Sequence, residues 1–528
     1  MNILIADAVS AAAVEVLRSQ PEWNVIVSSP KEYEAHLAEA HALLIRSAVT
    51  VTKEVLEKAP KLRVIGRAGV GVDNVDQETA TARGVVVMNT PGGNAISVAE
   101  HTLALMLALA RSISNASAST KSGKWEKKKF LGTELNGKTL GVIGLGNIGM
   151  QVARRARPFG MTVVGYDPFV SPDLARDLGV EMVELDQLYA TSDYISLHLA
   201  VTNETKNLLN RDAFAKMKSG VRVINCARGE LLDESALEEA LNSGKVAGAA
   251  LDVFAKEPPA GSPLLAHENV IATPHIGGST EEAQETIGIR IAQQVRDYLR
   301  DGVVLNAVNM PAITAEQYGV LQPYLELAER LGSFVAQIAT GRPKSVRIVY
   351  SGNFGETNTS LMRNAALSGI LNRFLSEKAN LINAAQVAAR RDFGVNEIRQ
   401  GRRHFSDSLS LALETKDGER VVEGTVFPDG SPRLVSVNNI YVEASLTGHM
   451  VFLKNNDVPG VIGRVGSILG DNKINIADFS LGRRESRSYP DGAVAVAVVR
   501  LDEALPKKVL EELLALDPVD FARSIELP

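Results

Sequence analysis

Three short motifs near the middle of the chain each carry a residue able to move a proton or hold an anion. They are Asn225-Cys226-Ala227-Arg228-Gly229, Asp252-Val253-Phe254-Ala255-Lys256-Glu257-Pro258 and Thr273-Pro274-His275-Ile276-Gly277-Gly278. Each lies at the end of a β-rich run, and in open α/β sheets ligands bind beyond the carboxyl ends of the strands. An imidazole titrates near neutral pH, so His275 suits a general base. The guanidinium of Arg228 suits a carboxylate, which it grips with two parallel hydrogen bonds. A carboxylate beside the imidazole favours its protonated form, the part expected of Glu257. These are the needs of 2-hydroxy-acid oxidation: a base takes the hydroxyl proton, hydride leaves C2, and a cation holds the carboxylate. Taken singly, each residue has an ordinary reading as a hydrogen-bonded surface group. The ordered set points to a site.

The hydride needs an acceptor, and a fingerprint for one precedes the set. Thr139-Leu140-Gly141-Val142-Ile143 reads as a strand, and Gly144-Leu145-Gly146-Asn147-Ile148-Gly149 follows it. In such a loop Gly144 allows the tight turn, Gly146 lets backbone approach a pyrophosphate, and Gly149 lets helix and strand pack closely. The next helix offers free N–H groups to the phosphates. A second strand, Val163-Val164-Gly165-Tyr166, ends in Asp167, about 20 residues on as the fingerprint requires. That carboxylate can accept both ribose hydroxyls and repels a 2′-phosphate, so NAD is expected over NADP.

Positioning these groups requires alternating strands and helices. Strands are predicted at Ile3–Ala6, Val25–Val27, Ala42–Ile45, Val64–Ile65 and Val85–Met88, with helices at Ala11–Arg18 and Lys53–Lys58 between them. A long helix is predicted from Ile96 to Ser119, and a second α/β series follows from Thr139 through Tyr194–His198, Val221–Asn225 and Ala249–Val253. Ser279 and Glu282 have capping-box spacing at the start of a further helix. Composition changes near Asn306–Pro311. Beyond it come a third region with no catalytic constellation and, from about His449, the order strand, helix, strand, strand, helix, strand.

The motifs Gly144–Gly149, Asn225–Gly229, Lys256–Pro259 and Thr273–Thr280 resemble the D-isomer-specific 2-hydroxyacid dehydrogenase family. That resemblance implies an α/β fold: a Rossmann-type doubly wound nucleotide-binding domain inserted in a flavodoxin-like substrate-binding domain. It also implies Arg228, Glu257 and His275 as the catalytic set. The implied NAD-contacting residues are Gly144, Gly146, Asn147, Ile148, Gly149, Asp167, Cys226, Ala227, Arg228, Asp252, His275 and Gly277. Within the family, Ile45-Arg46-Ser47, Gly66–Asn74 and Thr90-Pro91-Gly92-Gly93-Asn94 look like the branch that acts on 3-phosphoglycerate. By that likeness Arg46, Arg67, Gly69 and Asn94 hold the substrate. Lys127-Lys128-Lys129 lies where relatives lend a cation to a neighbouring subunit's site, with a solvated loop as the plain alternative.

The resemblance extends over the chain. It implies a substrate-binding domain at 1–95 and 283–311, a nucleotide-binding domain at 96–282, an α+β intervening domain at 312–445 and a ferredoxin-like ACT domain at 450–528. The ACT signature is Asn455-Asn456-Asp457-Val458-Pro459-Gly460, followed by Ile474-Asn475-Ile476. It implies L-serine as effector, held by Asn455, Asp457 and Asn475. Two positions depart from common members: Asn147 stands where arginine is frequent, and Asn455 where tyrosine or histidine occurs. A reductase of glyoxylate or hydroxypyruvate and an NADH-sensing binding protein are the competing readings.

Bulk properties agree with an enzyme of this kind. The chain has 528 residues, too many for one core. It is 45% hydrophobic and 22% charged with net charge −6, which gives no broad basic footprint for nucleic acid and argues against membrane-surface binding. Its one cysteine, Cys226, excludes an internal disulfide and a multi-cysteine metal site. No metal is expected. The single thiol fits a reducing cytosol, so a cytoplasmic protein is expected, and the resemblance adds the expectation of a homo-oligomer, a tetramer.

Overall fold

The computed structural model describes residues 1–311, 315–354, 356–375, 378–402, 407–484 and 494–527. The expected domain start at Ala312 and the end of the ACT segment at Pro528 lie outside the described residues.

Short strands build the first sheet, β1 (Asn2–Ile5), β2 (Asn24–Val27), β3 (Ala42–Ile45), β4 (Val64–Arg67) and β5 (Val86–Met88), all but the edge strand β2 largely buried. They are parallel in the order β2-β1-β3-β4-β5, which is the flavodoxin-like order. The second sheet holds β6 (Thr139–Ile143), β7 (Thr162–Tyr166), β8 (Glu181–Met182), β9 (Tyr194–Leu197), β10 (Val221–Asn225), β11 (Val246–Leu251) and β12 (Val270–Ala272). Its order is β12-β11-β10-β9-β6-β7-β8, all parallel. The strand order reverses beside β6, and the glycine loop leaves that strand at the switch point.

Two helices join the sheets. Ala95–Ala110 buries Val98, Ala99, Leu103 and Met106 against the second sheet. Glu281–Asp301 returns the chain and buries Ile287, Ile291 and Val295 against the first. The close approach of this helix to β4 leaves no space at Gly66, where a Cβ would lie 2.8 Å from Val295 and 2.9 Å from Ile291.

Two local expectations are corrected. The helix predicted over Ile96–Ser119 is broken into Ala95–Ala110 and Ile113–Lys121, bent by 65°. Ser112 sits between them in a left-handed conformation, and the Ala110 carbonyl accepts from the Thr133 N–H instead of continuing the helix. The cap of the returning helix is Thr280, not Ser279: the Thr280 side chain accepts from Ala283 N at 3.2 Å, while the Ser279 N–H is tied to the Ile276 carbonyl at 2.8 Å.

The third sheet is mixed, with β13 (Pro343–Ser351), β14 (Gly394–Gln400), β15 (Ser408–Thr415), β16 (Gly418–Val426), β17 (Pro432–Val437) and β18 (Ile440–Ser445) in the order β14-β13-β15-β16-β17-β18. Helices Ala315–Ile338 and Glu356–Phe374 share its core. The last sheet is antiparallel: β19 (Gly448–Asn456), β20 (Ile476–Arg484), β21 (Val494–Leu501) and β22 (Val519–Leu527) in the order β20-β21-β19-β22. Helices Val461–Asp471 and Lys507–Leu514 complete a ferredoxin-like βαββαβ unit. Among the described residues no single helix is long and apolar enough to cross a membrane.

Candidate active site

A cleft of about 540 Å³ opens between the first two sheets. Strand ends from both sheets reach it, as open parallel sheets dictate. From the first come Arg67 and Asn94; from the second come Asn147, Ile148, Cys226, Ala227, Arg228, Asp252, His275 and Gly277.

The His275 Nδ1 lies 2.8 Å from Glu257 Oε2, and Glu257 Oε1 accepts from the Phe254 N–H at 3.1 Å. The imidazole is thus oriented through one nitrogen by a carboxylate that is itself anchored. His275 has φ 55°, a left-handed backbone uncommon for a residue with a side chain. Asp252 maintains that turn. It is 1% exposed, its carbonyl accepts from His275 N, and its carboxylate accepts from Thr273 Oγ1, Ile276 N and Gly277 N at 2.5, 2.9 and 2.7 Å. Burial alone would raise the Asp252 carboxyl. Hydrogen bonds from His101, Thr273, Ile276 and Gly277 outweigh it and hold the group below the usual carboxylate range. Asp252 therefore shapes the histidine loop besides lining the cleft.

Arg228 follows β10. Its backbone is fixed by Asn225, whose side chain donates to the Arg228 carbonyl at 2.8 Å and accepts from Ala227 N at 3.0 Å. Its guanidinium donates to the Ala227 carbonyl and lies 3.2 Å from Asp73 Oδ2. Arg67, from β4, projects into the same cleft with its Nε buried and unpartnered among the described residues. Burial foremost, then the neighbouring Arg228, push Arg67 below the ordinary arginine range, and Asp73 opposes them. Asn94 Oδ1 is also buried without a partner among the described residues. Two arginines with spare donors form a receptor for an anion carrying more than one charge.

The remaining expected residues lie around the cleft. Arg46 donates to the Ala8 carbonyl at 3.2 Å and stays outside the lining. Gly69 also stays outside it, and its carbonyl accepts from Thr90 N and Thr90 Oγ1.

The glycine loop fits a dinucleotide. Gly144 has φ +93°, and a Cβ there would lie 2.6 Å from the His198 carbonyl oxygen. At Gly149 a Cβ would sit 1.9 Å from the Gly144 carbonyl oxygen, so only glycine lets helix Asn147–Ala156 pack this closely. Gly146 has nothing within 4 Å of its Cβ position, and no side chain caps the helix. Backbone N–H groups are left for an anion. Asp167 accepts from Leu145 N and Phe169 N, both at 2.8 Å, which fixes its carboxylate beside the loop.

Sequence reasoning assigned no role to Asp73, His101 or His198. His198 ends the strand predicted at Tyr194–His198, so the strand-end rule could have found it. It lines the cleft, its Nε2 lies 2.8 Å from Ser196 Oγ, and burial pushes its pKa down to about 3, which keeps it neutral. Burial also pushes the Cys226 thiol up to about 12, so it stays protonated.

In the last unit Asn455 and Asp457 line a separate pocket of about 440 Å³ at the start of helix Val461–Asp471. Asp457 Oδ1 lies 3.5 Å from Arg483 Nε. Asn475 is not brought to them. It follows the other end of that helix and donates to Asp502 Oδ2 at 2.6 Å.

Comparison with known proteins gives matches along most of the chain. Residues 103–277 match the D-isomer specific 2-hydroxyacid dehydrogenase NAD binding domain, 320–438 the D-3-phosphoglycerate dehydrogenase intervening domain, and 449–518 the ACT domain. The chain is 42% identical to the D-3-phosphoglycerate dehydrogenase of Methanocaldococcus jannaschii and 40% identical to that of Bacillus subtilis, with 100% of each chain covered. Among solved structures, TT0316 protein from Thermus thermophilus matches with TM-score 0.53 and 36% identity over 58% of this chain and 100% of that one. A D-lactate dehydrogenase from Aquifex aeolicus, complexed with NAD and lactic acid, matches with TM-score 0.51 and 31% identity over 58% of this chain and 100% of that one.

Proposed function

The chain belongs to the D-3-phosphoglycerate dehydrogenase family, and from that premise we propose that it oxidises 3-phospho-D-glycerate to 3-phosphohydroxypyruvate with NAD, the entry step of phosphorylated L-serine synthesis. The observation that carries the reading is the His275–Glu257 pair set in one cleft with Arg228, Arg67 and the N-terminus of the glycine-loop helix.

NAD, when bound, supplies the acceptor for the hydride leaving C2. His275 takes the C2 hydroxyl proton on Nε2, since Nδ1 faces Glu257. Arg228 holds the carboxylate and polarises the C2 oxygen. Arg67, Asn94 and Arg46 hold the phosphate end. Gly144, Gly146, Asn147, Ile148 and Gly149 cradle the pyrophosphate. Asp167 receives the ribose hydroxyls, and Cys226, Ala227, Asp252 and Gly277 line the nicotinamide end. Measuring NADH formation with 3-phospho-D-glycerate, D-lactate and D-glycerate tests the assignment. The phosphorylated acid should have the highest kcat/KM, and a preference for an unphosphorylated acid would contradict it.

Asp167→Ala should narrow the preference for NAD over NADP by removing both the ribose acceptor and the charge that repels a 2′-phosphate. The kcat/KM of each cofactor reads this directly. Equal use of both by the unaltered enzyme would refute the role of Asp167.

The enzyme acts as a cytoplasmic homo-oligomer, a tetramer, with L-serine as feedback inhibitor. Exposed Trp125 and Leu131 beside Lys127–Phe130 support association of copies. Asp457 is suited to the serine ammonium group and Asn455 to its polar ends. Asn475 belongs to the same site only across a pair of ACT units, since within one chain it stands at the far end of the helix. Calorimetry should find serine binding that Asp457→Ala abolishes, together with inhibition lost in the same variant. Undiminished serine binding by that variant would place the sensor elsewhere.

A further inference from the structure

The third sheet carries a cavity of about 940 Å³, larger than the catalytic cleft. It lies at one end of the sheet, where β13 and β14 begin and β15 turns into β16. The C-terminal ends of helices Glu356–Phe374 and Ala384–Arg390 close it. Its rim is basic: Arg342, Lys344, Arg390, Arg391 and Lys416 face it, against Asp392. Register explains the gathering. Ser345 pairs with Gly394, Pro343 pairs with Thr415, and the Lys416 N–H donates to the Arg342 carbonyl, so the segment Arg342–Lys344 runs between Lys416 on one side and Asp392–Phe393 on the other.

Arg342, Lys344, Arg390 and Lys416 have no ion-pair partner among the described residues. Each helix end adds roughly half a negative charge. Those ends account for a cation or two nearby, as helix C-termini attract them. They do not account for Arg342, Lys344 and Lys416, which lie on strand ends and a turn. Even with Asp392, and Asp417 beside Gly341, the balance stays positive. In a chain of net charge −6, this is a local concentration of the opposite sign.

The floor is apolar and partly aromatic. Leu371 and Phe393 are 3% and 9% exposed, while Phe374, also in the lining, is 38% exposed. A small phosphorylated acid would use the rim and leave this floor wet. A ligand with a flat apolar body and several phosphate charges would use both, because aromatic faces stack on bases and exposed cations bind phosphate oxygens. We propose that this cavity is a second ligand site that binds a nucleoside polyphosphate, with Phe374 against the base and Arg342, Lys344, Arg390 and Lys416 on the phosphates. The proposal is independent of the reaction assigned to the catalytic cleft.

The test is calorimetric titration of ATP into the full-length enzyme saturated with NADH, so that the dinucleotide site is filled. Adenosine and inorganic triphosphate serve as half-ligands. ATP should bind more tightly than either, and more weakly as salt rises. Lys344→Glu/Lys416→Glu should weaken ATP on the order of 100-fold, since each lost contact is charge-assisted. NADH affinity and dehydrogenase activity without ATP should stay unchanged. Phe374→Ala should reduce ATP to the affinity of triphosphate. No ATP binding at millimolar concentration, or undiminished binding by the double variant, would overturn the site. Equal affinity of ATP and triphosphate for the unaltered enzyme would overturn the assignment to a nucleotide.

Discussion

His275→Ala is expected to lower kcat by about 10²–10⁴-fold while leaving NAD affinity little changed. The loss follows from the removal of the proton acceptor. Asp252 holds the loop through the backbone of His275, Ile276 and Gly277, so the turn survives loss of the imidazole. Glu257→Gln should lose less. Glutamine still offers an oxygen to the His275 Nδ1–H, but without the negative charge that stabilises an imidazolium in the transition state. Steady-state kinetics read the first quantity and calorimetry with NAD the second. Full activity in His275→Ala would refute the assignment, and equal loss of activity and NAD binding would make the residue structural.

Arg228→Gln should lower kcat/KM on the order of 10³-fold, because two charge-assisted hydrogen bonds to the substrate are lost together. Both parameters should change: KM through the carboxylate, kcat through the C2 oxygen. Arg228→Lys should recover only a small part, since an ammonium cannot reproduce the planar fork. Folding stability should hardly move. The partner Asp73 is 78% exposed in its side chain, and exposed ion pairs contribute about 0–1 kcal/mol. Thermal unfolding beside the kinetics separates the two effects. An Arg228→Gln enzyme whose melting temperature collapses would show the residue to be structural.

The helix–sheet alternation was legible because the inner strands of the two parallel sheets are short, apolar and buried, as in β1, β3, β6, β9 and β10, a pattern that an apolar run bounded by turn residues reveals. The break at Ser112 was not, because it depends on Thr133 taking the Ala110 carbonyl from far along the chain. Residue type and strand-end position pointed to Arg228, Glu257 and His275. The hydrogen bonds of Asp252 to the histidine loop could not be read that way, since a buried carboxylate at a strand end looks the same whether it meets a ligand or its own backbone. Asp73 was missed for a related reason. It sits within Gly66–Asn74, but its pairing with Arg228 exists only once the two sheets face each other. Local motif reading also grouped Asn475 with Asp457, although a helix of 11 residues separates them.

The most direct test of the central claim uses 3-phospho-D-glycerate carrying deuterium at C2. The account predicts that mass spectrometry finds one deuterium in the reduced cofactor formed by the unaltered enzyme, and that labelled cofactor accumulates far more slowly with His275→Ala. Reduced cofactor without deuterium, or labelling at an undiminished rate with His275→Ala, would contradict it.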